Sequence, residues 1–549
     1  MTPAASSDNK HQEDPPPHKR GLLQNAGIIS AAVATSRLTG VIRESILSWM
    51  FGAGATYDAY VLGFRIPSLA RELFAEGALS SAFIPTFTRY LATKTPEETR
   101  ELSNITATML AVITGSVCAL GMIFAPAIVD LFAPGFHAVP GKWELAVTLV
   151  RTMFPFLLLL SLSAQAQGML YATQQFGIPA LSSSFFNFAS VIAGVVLGFW
   201  LGPWLGITQV RGMAMGVVVG GAAQLAFQLP SLWRAGFGWS PRWNLRKNLQ
   251  HEGVRHILWL MGPAVIGTAS GQINNLVNTN FAAGLRDASG HVMNGPVSWL
   301  SYAYRFAALP MGVFGVAIAS AALPRISRSA AQGNFGEFRE TLSRSVIMIL
   351  LLTVPSSVGL AILGESMIGI VFEHGKFLAS DTHQTAIALQ CYAVGLAGYS
   401  ALKLIAPAFY ALGDARTPML VSLASVVVNG VTAFVMVRVA GFGHAGLALS
   451  SSVVSTFSSL ALLLLLRVKI GGVDGQAILG SLLKIIVAAG VMGTVCWGVL
   501  RLVPSSRIGG VALGVPAGIA SFYIVAAVLR VPELEGAKES VLKRLRGRS

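Results

Sequence analysis

The stretch SRLTGVIRESILSWMFGAGATYDAYVLGFRIPSLARELFAEGALSSAFIPTF (36–87) combines two properties that conflict in water. Its apolar runs suit helices that cross a bilayer, which takes about 20 residues per crossing. Eight charged residues nevertheless sit inside those runs: Arg37, Arg43, Glu44, Asp58, Arg65, Arg71, Glu72 and Glu76. An ionisable group at the centre of a membrane helix costs at least ~2.5–3.5 kcal/mol, so it faces a partner or a water-filled cavity. Two helices carrying this load predict a membrane protein with a polar interior.

The rest of the chain agrees. Of its 549 residues 53% are hydrophobic and 11% charged, with a mean hydropathy of +0.64. A soluble domain carries about 25% charge, and this chain could not cover a water-facing surface with so little. The net charge of +15 would suggest nucleic acid in a soluble protein. Here the basic residues lie mostly between apolar runs, so membrane orientation explains them and no nucleic-acid partner is expected. Cys118, Cys391 and Cys496 sit in apolar runs without metal-ligand spacing and read as small buried hydrophobes.

Apolar windows predict about fourteen helices, near 25–50, 56–92, 101–131, 144–172, 177–202, 211–234, 254–285, 295–331, 338–363, 381–412, 417–438, 444–467, 475–502 and 509–530. The second and eighth are long, with Pro67 and Pro310 as kink sites. Residues 1–24 read as a disordered cytoplasmic tail, 235–253 as an amphipathic cytoplasmic linker or a plain solvated loop, and 531–549 as a basic cytoplasmic tail. The first apolar stretch is too long for a cleavable signal peptide and carries Arg37 and Arg43. Alternate loops are basic, with Lys94 and Arg100, then Arg242, Arg246 and Lys247, then Arg325 and Arg328. The opposite loops hold little beyond Lys142, Arg286, Lys376 and Arg507. This asymmetry predicts both termini inside.

A repeat appears at a spacing of 239 residues. Ser81, Pro85 and Arg89 recur as Ser320, Pro324 and Arg328, while Tyr171, Ala172 and Pro179 recur as Tyr410, Ala411 and Pro418. Each unit holds six helices, and an even number returns the chain to the same side. Two parallel lobes, 25–234 and 254–468, are therefore expected around a central cavity, with two further helices over 475–530. The fold class is all-α integral membrane.

Within this frame Glu44, Arg65 and Glu72 have opposite charges nearby and read first as packing ion pairs. Arg37, Arg43, Arg71 and Arg305 read as ligand groups, because guanidinium forks bind phosphate oxygens bidentately and keep their charge at any working pH. Asp58 reads equally as a switchable partner for a cavity arginine, a proton acceptor, or a helix N-terminal carboxylate. No P-loop, paired metal-ligand motif or nucleophile elbow appears, so a transporter rather than an enzyme is expected, with no cofactor. Its energy would come from the membrane potential, a Na+ or H+ gradient, or substrate supply.

The 36–87 block resembles the bacterial lipid II flippases, the MurJ/MviN family, within the multidrug and polysaccharide exporter superfamily. LFAPGF (131–136), MGPAVIG (261–267), VSWLSYAYRF with LPMGVFGVAIASAALP (297–324), HGKF (374–377) and KLIAPAFYALGDARTP (403–418) extend the likeness over nearly the whole chain from about residue 25. The resemblance implies transfer of an undecaprenyl-diphosphate-linked disaccharide peptide, lipid II, from the inner to the outer leaflet of the bacterial cytoplasmic membrane. It implies two lobes around a cationic cavity and a lipid-tail groove in the last two helices, with membrane lipids and cell-wall synthesis enzymes as further partners. It assigns the required cavity arginines to Arg37, Arg43, Arg71 and Arg305, the helix-two aspartate to Asp58 and the FAEG glutamate to Glu76, with Ser48 and Ser298 lining the cavity. Some members carry an acid before the helix-eight arginine where this chain has Tyr304, which leaves the partner of Arg305 open. Some bind sodium in the second lobe, where this chain offers Asn274, Asn275 and Asn429 without a clear carboxylate. Rival readings are a flippase for another polyprenyl-diphosphate glycan, a related multidrug exporter, and a non-transporting scaffold.

Overall fold

The computed structural model describes residues 18–72, 80–504, 506–531 and 534, with the backbone alone for 18–34, 80–81, 260 and 262–268. Glu76 and most of both tails lie outside the described residues. The expected all-α membrane fold is borne out. Among the described residues ten helices are long and apolar enough to cross a bilayer, and Ala379–Val394 with Leu396–Ala411, bent by 44°, makes an eleventh. The three remaining expected crossings are also helical: His18–Phe51, Ala55–Arg71 followed by Ser80–Thr93, and Glu252–Ala283. These carry Arg37, Arg43 and Glu44, then Asp58 and Arg65, then Gln272, Asn275 and Asn278. The least apolar helices thus supply Arg37, Arg43, Arg65 and Asn275 to the interior. The first is already helical at His18, where the described residues begin, ahead of the expected residue 25.

Packing follows membrane rather than water rules. In Gly443–Lys469 the buried face holds Ser450, Ser451, Ser452, Ser455, Ser458 and Ser459, while Leu460, Leu464 and Leu465 point outward. Lipid tails accept the leucines as well as a protein core would, so small residues that allow close backbone approach take the contacts. Gly177–Trp200 and Gln209–Arg234 show the same device. A Cβ on Gly212 would fall 2.3 Å from Gly198, and one on Gly216 would fall 2.4 Å from the Ser190 carbonyl oxygen.

The 239-residue repeat extends to the helix boundaries. Gly177–Val195 and Arg416–Phe434 start and stop in register, and each widens into a π turn, Val196–Trp200 and Val435–Val439. Pro155–Ala172 and Leu396–Ala411 end in register, and Pro96–Ile123 and Phe335–Phe372 begin in register. Pro310 leads into a third π turn, Met311–Gly315, the local distortion expected at a proline kink. Outside the repeat, Gly475–Leu502 and Arg507–Val528 pack on each other and on Phe335–Phe372. The 235–253 connection runs along Pro96–Ile123, where Asn104 and Thr108 accept the Ser240 and Arg242 amides and leave Trp239 and Trp243 exposed.

At the sparsely charged end the two repeats meet through backbone. The Lys376 amide donates to the Trp49 carbonyl at 3.0 Å, and Ser45 Oγ donates to the Val371 carbonyl at 2.7 Å. Arg507 ties the last helix pair to the same turn through Glu373 at 2.6 Å. Burial works against the Glu373 charge, but the Thr382 hydroxyl and the Arg507 guanidinium hold its carboxyl below the ordinary range. Gly375 is needed here twice over. Its φ of +62° disfavours a side chain, and a Cβ would lie 2.3 Å from the Trp49 carbonyl oxygen. Gly375→Ala is expected to cost about 1–3 kcal/mol, seen as a lower thermal unfolding midpoint of the purified protein. An unchanged midpoint would contradict the contact.

Candidate functional site

The helices with the heaviest polar load converge on two adjoining cavities. One, of about 380 Å³, is lined by Arg37, Arg43, Arg71 and Arg305, with Phe64, Phe156 and Phe186 among the apolar walls. The other, of about 320 Å³, shares Phe64, Arg71 and Arg305 and adds Arg65 and Glu72. Each lies within the roughly 300–1,000 Å³ range of small-ligand sites. The four arginines singled out from the sequence are therefore brought together. Among the described lining residues five are arginines and Glu72 is the only carboxylate.

Glu44 organises the arginines from behind. Its Oε1 accepts from Arg43 at 2.8 Å and from Arg305 at 2.9 Å, while Oε2 accepts from Tyr57 at 2.6 Å. The partner of Arg305 is thus an acid of the first helix, not a neighbour in its own helix. One carboxylate serves two guanidiniums, so their combined charge is only half balanced. Arg43 is buried between the rings of Phe64 and Phe186, at 5.2 and 5.3 Å from their centroids, and its Nε has no hydrogen-bond partner. Arg37 donates to the Ala308 carbonyl at 3.2 Å and packs against Gly312, where a Cβ would sit 1.9 Å from its Nη2. Arg71 contacts Glu72 at 3.7 Å. Arg65, expected in an ion pair, donates instead to the Thr279 hydroxyl at 2.7 Å.

Ser48 and Ser298 are placed differently from expectation, while Asp58 sits at the start of its helix, one of the positions its sequence reading allowed. None lines either cavity, because Asp58 and Ser298 lie in the first turns of their helices, at the end of the bundle. Asp58 is fully buried and caps a neighbouring helix rather than its own. Its Oδ1 accepts from the Ser298 amide at 2.9 Å and the Ser298 hydroxyl at 2.6 Å, and Oδ2 accepts from the Gly295 amide at 2.9 Å. Lys142 Nζ completes the lock at 2.8 Å and reaches Asn294 at 3.0 Å. Beside it Tyr57 stacks on Tyr302, with centroids 4.8 Å apart. The Ser48 hydroxyl donates to the Ser45 carbonyl at 2.8 Å within the same seal. The cavities lie deeper in the bundle: Arg37 is 14 residues from the end of its helix at Phe51, a rise of roughly 21 Å.

The profile of the family described as Lipid II flippase MurJ matches residues 47–511. The chain belongs to this family. A Burkholderia cenocepacia lipid II flippase MurJ is 33% identical over 439 residues, which cover 80% of this chain and 82% of the relative. A Vibrio cholerae protein, described as a probable lipid II flippase MurJ, is 31% identical over 453 residues with the same coverage. Among solved structures, a lipid II flippase MurJ in an inward closed conformation superposes with a TM-score of 0.75 at 25% identity, covering 91% of this chain and 98% of that one. An inward-facing multidrug resistance MATE transporter of the MOP superfamily reaches 0.62 at 15% identity, covering 81% of this chain and 98% of that one. That second likeness concerns the fold alone.

In this member of the MurJ family the residue that sequence reasoning missed is Lys142, which looked like a stray loop charge. Its partner Asp58 is 84 residues away, and Ser298 is 240 from Asp58, so no local pattern links them. Lys142→Met leaves the Asp58 carboxylate buried without a counter-ion and is expected to destabilise the protein by about 3–5 kcal/mol. Asp58→Asn combined with Lys142→Met removes the stranded charge and should recover much of that loss in thermal unfolding. A double variant no more stable than Lys142→Met alone would contradict the lock.

Proposed function

We propose that this chain moves lipid II from the inner to the outer leaflet of the bacterial cytoplasmic membrane by alternating access, with both termini cytoplasmic. The observation that carries the reading is the arginine chamber between two parallel repeats, whose guanidiniums outnumber the carboxylates available to them. A diphosphate is the anion that suits it. Two or more guanidinium forks can bind its oxygens, and the charge balance that Glu44 leaves incomplete is then met by substrate. The seal around Asp58 and Lys142 corresponds to the outer side, so the conformation described would load from the cytoplasm. Outward opening would separate Asp58 from Ser298 and Gly295 and part the Lys376–Trp49 contact.

The polyprenyl tail need not enter the chamber. It stays in lipid, or along the outward apolar faces of Gly475–Leu502 and Arg507–Val528, where Leu483, Ile486, Leu513 and Ile519 are exposed. No resident cofactor is needed; a Na+ or H+ gradient, the membrane potential or substrate supply would drive the cycle. Asn274, Asn278, Asn429 and Ser450 form a neutral amide and hydroxyl network in the second repeat. Delivery to the outer leaflet would serve the cell-wall synthesis enzymes that consume the lipid. A multidrug exporter for organic cations is disfavoured, because cations would be repelled from a chamber of arginines.

Restoration of outer-leaflet lipid II in a bacterium depleted of its own flippase tests the reading directly, and failure to restore it at normal expression would defeat it. In the same assay Arg71→Ala is expected to abolish complementation, while Arg71→Lys keeps part of it by preserving charge without the fork. Equal activity of the wild type and Arg71→Ala at matched protein levels would exclude a role for this arginine.

A further inference from the structure

The second cavity has a chemistry that a diphosphate does not require. Its walls include Tyr304, Tyr392, Tyr399, Asn275 and Asn278. Tyr304 and Tyr392 meet at 70° with centroids 5.8 Å apart, so their rings form a corner. Neither hydroxyl bonds to another described residue, and the exposed Asn275 amide is equally open. Asn278, one turn further along the same helix, is fixed: it donates to Ser451 at 2.9 Å and accepts from Asn429 at 3.2 Å. The cavity therefore offers ring faces, one rigid amide wall and several open hydrogen-bonding groups.

That combination suits a carbohydrate. The C–H face of a pyranose ring packs on the face of a tyrosine ring, and its hydroxyl and acetamido groups need donors and acceptors around the rim. Position adds a second argument. Arg71 and Arg305 belong to both cavities, so a diphosphate held by them has the tyrosine cavity within reach of its next substituent. In a polyprenyl-diphosphate glycan that substituent is the first sugar.

We propose that the cavity bounded by Tyr304, Tyr392, Tyr399 and Asn275 is the saccharide subsite, taking the N-acetylated sugar attached to the diphosphate. This rests on the flippase reading above. It gives the two chambers separate tasks: the arginine chamber recognises charge, and the tyrosine chamber recognises the head group that distinguishes the loaded carrier from the bare one.

The test compares binding of lipid II and of undecaprenyl diphosphate, which lacks the sugar, to the full-length chain in lipid nanodiscs. The wild type should prefer lipid II. Asn275→Ala and Tyr304→Phe, which keeps the ring, should each weaken lipid II binding by up to about tenfold, the scale of one lost hydrogen bond. Tyr392→Leu should weaken it further, and all three should bind undecaprenyl diphosphate as the wild type does. Arg305→Ala should weaken both lipids. Unchanged lipid II binding in all three variants, or equal wild-type affinity for the two lipids, would overturn the saccharide subsite while leaving the flippase reading intact. A wild type that bound neither lipid would defeat the flippase reading and this inference with it.

Discussion

The structure depends on one shared carboxylate. Glu44, almost fully buried, accepts from two arginines on different helices and from Tyr57, and so joins the first helix to the second and the eighth. Placing charge in a low-dielectric interior is costly, and it persists only where partners and hydrogen bonds compensate. Here compensation is deliberately incomplete. Arg43 and Arg305 divide one negative charge, Arg37 rests on a carbonyl, and Arg65 rests on a hydroxyl. Such an arrangement is stable beside a water-filled chamber, and it leaves a cationic surplus that an anionic ligand would neutralise.

The two repeats explain how that surplus is shielded. Matching helix boundaries show that each half is built on the same plan, down to the π turns at Val196–Trp200 and Val435–Val439. Glycine and serine faces hold each half together, while contact between halves at the sealed end uses glycine turns, main-chain hydrogen bonds and the buried Asp58 group. The seal also has an apolar part, in which Tyr57 stacks on Tyr302 within a buried cluster drawn from both halves. The internal contacts of each half are broad and close-packed and would move as a unit.

Much of this was legible in the sequence because membrane helices advertise themselves. Length and apolarity marked the crossings, and the misplaced charges in 36–87 marked the lining of the interior. The arginine cluster was found because guanidinium groups in apolar runs have few other places to go. Ser48 and Ser298 were assigned to the cavity wall and lie in the seal instead, and the capping contact that ties Asp58 to Ser298 joins residues 240 apart, so no local spacing signals it. The hydroxyl partner of Arg65 escaped notice because sequence spacing suggested nearby acids, whereas Thr279 arrives from a helix more than 200 residues away. Tyr304 was noticed only as the absence of an acid. Its role as a wall of the second chamber needed Tyr392 and Asn275 to be brought beside it by the fold.

The most direct test of the account is an experimental structure of the full-length protein in a lipid bilayer with lipid II bound. The account predicts the diphosphate in the arginine chamber, within hydrogen-bonding reach of Arg71 and Arg305, with Glu44 still bridging Arg43 and Arg305 behind it. A diphosphate bound elsewhere, with the chamber filled by lipid tail or the guanidiniums turned away from it, would contradict the account.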